Sequence, residues 1–109
     1  MILFIHGLDS SKETNKFECI DVQEKYCETI DYRGLSYEEV SKKYDEIIKR
    51  KNPKILVGHS LGGYWALVKS QQHNIPCFLI NPSLYPKRIF SDYIDISENT
   101  PPESVPAGY

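Results

Sequence analysis

The run Gly58-His59-Ser60-Leu61-Gly62-Gly63 narrows the folds open to this chain more than any other feature. Before it stands a short apolar segment, Ile55-Leu56-Val57, with the length and composition of a strand covered on both faces. After it, Leu61 to Gln72 reads as a helix with Leu61, Trp65 and Val68 on one side. A serine set between glycines at such a junction sits on a sharp turn, where bulky neighbours would clash and the backbone dihedrals are unfavourable. A buried strand that passes directly into a helix is the repeating unit of a parallel α/β sheet.

The flanking sequence repeats that unit. Ile2 to Ile5 is a continuous apolar run, read as a buried strand and ended by Gly7 and Asp9-Ser10-Ser11. Lys12 to Glu24 is less regular; Phe17, Ile20 and Glu24 fall at helical spacing, so a short helix is expected there. Tyr26 to Tyr32 alternates loosely and is rich in β-formers, which predicts a strand, and Arg33-Gly34 turns the chain. Ser36 to Lys51 is a helix: Ser36 and Glu39 form a capping box, Tyr37, Val40, Tyr44, Ile47 and Ile48 make one apolar stripe, and Asn52-Pro53 stops it. Cys77 to Ile80 is a further strand, opened by Pro76 and closed by Asn81-Pro82. The alternation predicts a three-layer α/β fold with right-handed crossovers, about four parallel strands and flanking helices. Pro82, Pro86, Pro101, Pro102 and Pro106 crowd the remainder. A short helix is expected over 86–93 and a mobile tail or surface strap beyond it, dividing the chain into a domain 1–96 and a tail 97–109.

Composition excludes some functions. A chain of 109 residues with net charge -2 is one domain without the basic face of a general nucleic-acid binder. Lys49, Arg50, Lys51 and Lys54 form the one basic group, and they suit a solvated helix end. Cys19, Cys27 and Cys77 are odd in number and lack zinc spacing, so free thiols in a reducing compartment are expected. Met1 to Ile5 has no basic flank of a signal peptide, and no run approaches a membrane span. The expected location is cytoplasmic. A bias toward Ile, Lys, Asn and Tyr suggests an AT-rich genome, such as that of a phage.

The turn carries chemistry as well as geometry. It lifts the Ser60 hydroxyl out of the sheet at a helix N-terminus, where positive potential and free N–H groups favour negative charge. The Leu61 N–H stands ready for an oxyanion formed when Ser60 attacks a carbonyl. Three segments, His6-Gly7-Leu8-Asp9-Ser10-Ser11, Gly58-His59-Ser60-Leu61-Gly62-Gly63-Tyr64 and Asn81-Pro82-Ser83, together with Ser91-Asp92-Tyr93, resemble the small α/β-hydrolases of the YqiA esterase type. The resemblance implies a parallel sheet and hydrolysis of esters or thioesters without metal or organic cofactor. It maps Ser60 to the nucleophile, Gly58, His59, Gly62 and Gly63 to its elbow, and the Leu8 and Leu61 amides to the oxyanion hole. It covers nearly all of this chain but about the first half of the family's domain.

A serine hydroxyl needs a base in reach, and in this superfamily the acid and the histidine follow the serine in the chain. After Ser60 the one histidine is His73, a whole helix away. His6 is the remaining candidate base, with His59 expected to point away from Ser60 and His73 able to reach only a neighbouring subunit. Asp9, Asp92 and Asp95 are the candidate acids, and Asn81 cannot serve. Two functions stay open. One is a truncated, catalytically impaired hydrolase-like protein that binds and modulates a partner enzyme, with that partner or a second copy covering the sheet's far edge. The other is a minimal serine esterase or thioesterase acting on a small ester through Ser60.

Overall fold

A computed structural model of the chain describes residues 1–12, 15–22 and 24–83. The elements are β1 (Ile2–Ile5), α1 (Asn15–Glu18), β2 (Lys25–Tyr26), α2 (Tyr37–Lys51), β3 (Ile55–His59), α3 (Leu61–His73) and β4 (Cys77–Ile80). The four strands form one sheet in the order β2-β1-β3-β4, and every pairing is parallel. Leu3 lies opposite Leu56, and Leu56 opposite Cys77, so β1 and β3 occupy the centre. The expected four-stranded parallel α/β fold is therefore observed. The helix expected over 86–93, the tail and the 96/97 boundary lie outside the described residues.

Direction of travel decides which face each helix covers. The chain moves one way from β1 to β2 and the opposite way from β2 to β3 and β4, and right-handed crossovers then put α1 on one face and α2 and α3 on the other. The core follows this division. Leu3, Ile5 and Leu56 pack with Val40, Tyr44 and Ile47 of α2 and Leu61, Trp65 and Ala66 of α3. On the opposite face Phe4, Cys27 and Val57 meet Phe17 and Ile20. Trp65 is fully buried, with the rings of Tyr37, Tyr64 and Tyr44 centred 4.7, 5.5 and 5.9 Å from its own.

Helix α2 starts as its capping box predicts: the Glu39 amide donates to Ser36 Oγ at 3.1 Å, and the Ser36 amide to Glu39 Oε1 at 3.0 Å. Asn52 ends it in the left-handed region at φ 50°. Between α2 and α3 the buried Lys69 ammonium donates to Ser41 Oγ (2.7 Å), Asp45 Oδ1 (2.8 Å) and Gln72 Oε1 (2.9 Å). No described helix is long and apolar enough to cross a membrane.

Two expected elements are shorter than their patterns suggest. Helix α1 is four residues long. In place of further turns, the Lys25 ammonium takes up the carbonyls of Phe17 and Ile20, each at 3.0 Å. The strand expected over Tyr26 to Tyr32 is reduced to Lys25–Tyr26. Beyond Tyr26 the backbone leaves the ladder, because its polar groups serve another purpose at the sheet's carboxyl edge.

Candidate active site

In an open parallel sheet, ligands bind beyond the carboxyl ends of the strands where neighbouring connections depart in opposite directions. Here that point lies between β1, which connects toward β2, and β3, which connects toward β4. Residues 6–10 and 58–63 meet there. A Cβ added to Gly7 would lie 3.3 Å from both the Ser60 Cβ and the His59 carbonyl oxygen, so the two turns are in contact.

Ser60 adopts φ 56° and ψ -120°, a conformation that L-residues avoid. The surroundings hold it there. Its amide donates to the Ile80 carbonyl at 3.1 Å, and its carbonyl accepts from the Gly63 and Ser83 amides, both at 2.9 Å. Ser60 is also the N-cap of α3, yet its side chain makes no capping bond. A serine at this position normally turns its oxygen onto the helix; here the twisted backbone directs the half-buried hydroxyl elsewhere. Gly62 makes this arrangement sterically feasible, since a Cβ there would overlap the carbonyls of Ile5 and His6 and push α3 off the end of β1.

The facing loop is organised by His6, which is wholly buried. Its Nδ1 lies 2.8 Å from the Gly7 carbonyl, and the Ile30 amide donates to its Nε2 at 2.8 Å. Those partners require the neutral tautomer with hydrogen on Nδ1. Burial pushes the His6 pKa below its ordinary value, which keeps the ring neutral at pH 7. The Gly7 carbonyl also accepts from the Ser10 amide at 3.2 Å. A trans peptide points its C=O and N–H in opposite directions, so anchoring the Gly7 oxygen on His6 turns the Leu8 N–H away from the imidazole. Neither the Leu8 nor the Leu61 amide has an acceptor among the described residues. Tyr32 adds a second brace: its hydroxyl donates to the His6 carbonyl at 2.7 Å and accepts from the Tyr44 hydroxyl at 2.5 Å.

This bracing accounts for part of the shortening of β2. Ile30 gives its backbone amide to the His6 ring and so cannot donate it to a strand ladder, while Tyr32 reaches the same residue through its side-chain hydroxyl. It also corrects the reading of His6 as a base, because its one lone-pair nitrogen already accepts the Ile30 N–H. Sequence reasoning missed Ile30, Tyr32 and Tyr44, whose roles depend on contacts with no local signature.

The other candidates are dispersed. The half-buried His59 ring lies beside Gly7; desolvation and the nearby Lys16 push its pKa down. No described hydrogen bond joins it to Ser60. His73 stands at the far end of the 13-residue α3, roughly 20 Å from Ser60 at 1.5 Å per residue, with its Nε2 on Asp45 Oδ1 at 2.7 Å. Asp9 pairs with Arg33. Asn81 is exposed at the end of β4, and Asp92 and Asp95 lie outside the described residues. The three cysteines are free, and burial pushes the Cys27 thiol up to about 12, which suits an inert core residue. Among the described residues no group of three His, Cys, Asp or Glu could hold a metal ion.

Residues 1–105 match the uncharacterised protein family UPF0227. The chain belongs to this family. It is 32% identical over 111 residues to a UPF0227 protein of Shewanella woodyi, and 27% identical over 106 residues to one of Pectobacterium atrosepticum. Each alignment covers 90% of this chain and 59% of the relative, so this UPF0227 chain spans less than two thirds of the length of the relatives it matches. The matched region includes every residue of the β1 loop and of the Ser60 turn.

Proposed function

We propose that this UPF0227 chain carries the nucleophile and oxyanion hole of a serine hydrolase acting on a small ester or thioester. The observation that carries the reading is Ser60 itself: a left-handed serine at a helix N-terminus, its backbone fully bonded and its hydroxyl unused for capping, opposite the Gly7–Leu8 peptide. In the proposed reaction Ser60 Oγ bonds to the substrate's carbonyl carbon while its proton passes to a base or water. The Leu8 and Leu61 amides receive the developing oxyanion, and each such donor is worth about 3–4 kcal/mol of barrier. The alcohol or thiol then departs with a proton, and water releases the acid from the acyl-serine. No described residue stands as a base beside Ser60, so the described residues alone provide slow turnover, resting on the oxyanion hole and binding.

A second reading has its own support. Phe78 on the edge strand β4 is 66% exposed, on the sheet face opposite α2 and α3. A parallel sheet is normally covered on both faces, so this face favours a hydrolase-like protein that binds a partner chain or a second copy there.

A fluorophosphonate probe with intact-mass readout separates the two. The hydrolase reading expects a single adduct on the folded protein and none on Ser60→Ala. A folded wild-type protein that stays unlabelled at millimolar probe refutes it and leaves the binding reading.

A further inference from the structure

Asp9 follows Leu8 directly and adopts φ 59°, a left-handed conformation at the crest of the loop. Both of its carboxylate oxygens are held by one guanidinium: Arg33 Nε donates to Oδ1 at 2.8 Å and Nη2 to Oδ2 at 2.9 Å. Arg33 holds the Asp9 carboxyl below its ordinary pKa, so the pair is ionised at neutral pH. The turn that presents Arg33 is itself fixed, with the Gly34 amide donating to Asp31 Oδ1 at 3.0 Å.

The Leu8 amide thus lies between two anchors. On one side the Gly7 carbonyl is held by His6. On the other, the Asp9 side chain is held by Arg33. Both anchors come from the segment that left the sheet after β2, through Ile30 and Tyr32 to His6 and through Arg33 to Asp9. A single anchor would let the peptide swing about the Gly7 carbonyl; two restrict rotation, and a bidentate fork fixes orientation as well as distance. The pair is partly exposed, with side-chain accessibilities of 39% and 63%, and exposed ion pairs add little to global stability. Its measurable effect should therefore fall on the loop's geometry.

We propose that Arg33 is a positioning residue: through its two bonds to Asp9 it holds the Leu8 N–H toward the oxyanion position above Ser60. The inference rests on the hydrolase reading of that site and names the residue that regulates its alignment. Orientation errors of this kind lower reactivity without altering the capture of a ligand.

The test is the kinetics of fluorophosphonate labelling, with saturation separating the first-order rate from the binding constant. In that reaction the Oγ–P bond forms, the P–F bond breaks, fluoride departs, and water takes the serine proton. Arg33→Met and Asp9→Asn should each lower the first-order rate about tenfold or more, with the binding constant and the melting temperature nearly unchanged. Arg33→Lys, which keeps the charge but not the fork, should fall between. The swapped pair Asp9→Arg with Arg33→Asp should recover part of the loss, which a purely structural lesion would not. If Arg33→Met does not fold, Asp9→Asn and Arg33→Lys give the same reading. Wild-type labelling with rates within twofold in the variants overturns the inference and leaves the hydrolase reading intact. An unlabelled wild-type protein removes both.

Discussion

Replacing His6 by Phe tests the organisation of the β1 loop directly. Phe keeps an aromatic ring in the buried site but removes both nitrogens. The Ile30 amide then loses its acceptor, and no other partner for it is present among the described residues. An orphaned buried donor costs about 1–3 kcal/mol. The Gly7 carbonyl is less affected, since the Ser10 amide still reaches it at 3.2 Å, and losing one of its two donors costs about 0.5–1.5 kcal/mol. The expected loss is therefore about 1.5–4.5 kcal/mol, a large share of the roughly 5–15 kcal/mol that holds a domain of this size. Urea denaturation at pH 7.5 measures it. The pH dependence provides a second check. His6 titrates below its ordinary value when folded, so the unfolded chain takes up the proton first. Stability is fully present above about pH 6.5 and falls as the pH drops toward the folded value, by at most about 1.4 kcal/mol per pH unit for one histidine. His59 is depressed as well and adds a slope of the same sign. The lowered carboxylates, Asp9, Glu28, Glu39 and Asp45, contribute only at lower pH. Between pH 6.5 and 5 the wild-type protein should thus lose stability more steeply than His6→Phe, which retains the His59 part alone. A loss below about 1 kcal/mol at pH 7.5, or identical acid slopes in the two proteins, refutes the assignment of His6 as the neutral brace.

Ser60→Gly should raise stability by about 1 kcal/mol, measured by thermal unfolding, because glycine occupies φ 56° without strain while giving back part of the gain as chain entropy. The network between α2 and α3 should respond asymmetrically. Asp45→Ala leaves the buried Lys69 ammonium without a carboxylate partner among the described residues, with Ser41 and Gln72 as its remaining described hydrogen-bond acceptors, and should cost about 2 kcal/mol, whereas Lys69→Met removes the charge itself and should stay within about 1 kcal/mol of wild type in the same urea assay.

Several elements were legible because their causes are local. Ser36 and Glu39 are three residues apart, and their reciprocal bonds form in the observed helix as the spacing predicts. The buried strand Ile55–His59 and the helix from Leu61 follow from an apolar run, a glycine-flanked turn and a helical stripe. The misread segments are those whose residues answer to distant partners. Tyr26 to Tyr32 has the composition of a strand, yet Ile30 and Tyr32 bond to His6, residues 24 and 26 positions away. His6 itself read as a candidate base, since its chemistry is visible in the sequence but the occupation of its lone pair is not.

Sequence alone determined that a serine would stand at a strained strand-to-helix turn, because only glycine tolerates the close approaches on either side of it. Tertiary structure decided what that serine faces. The order β2-β1-β3-β4 brings the β1 loop against the turn, and the buried Ile30 amide and Tyr32 hydroxyl, with the more exposed Arg33, find their partners on that loop. A buried N–H must be bonded to something, and which acceptor it reaches depends on how the whole chain is packed.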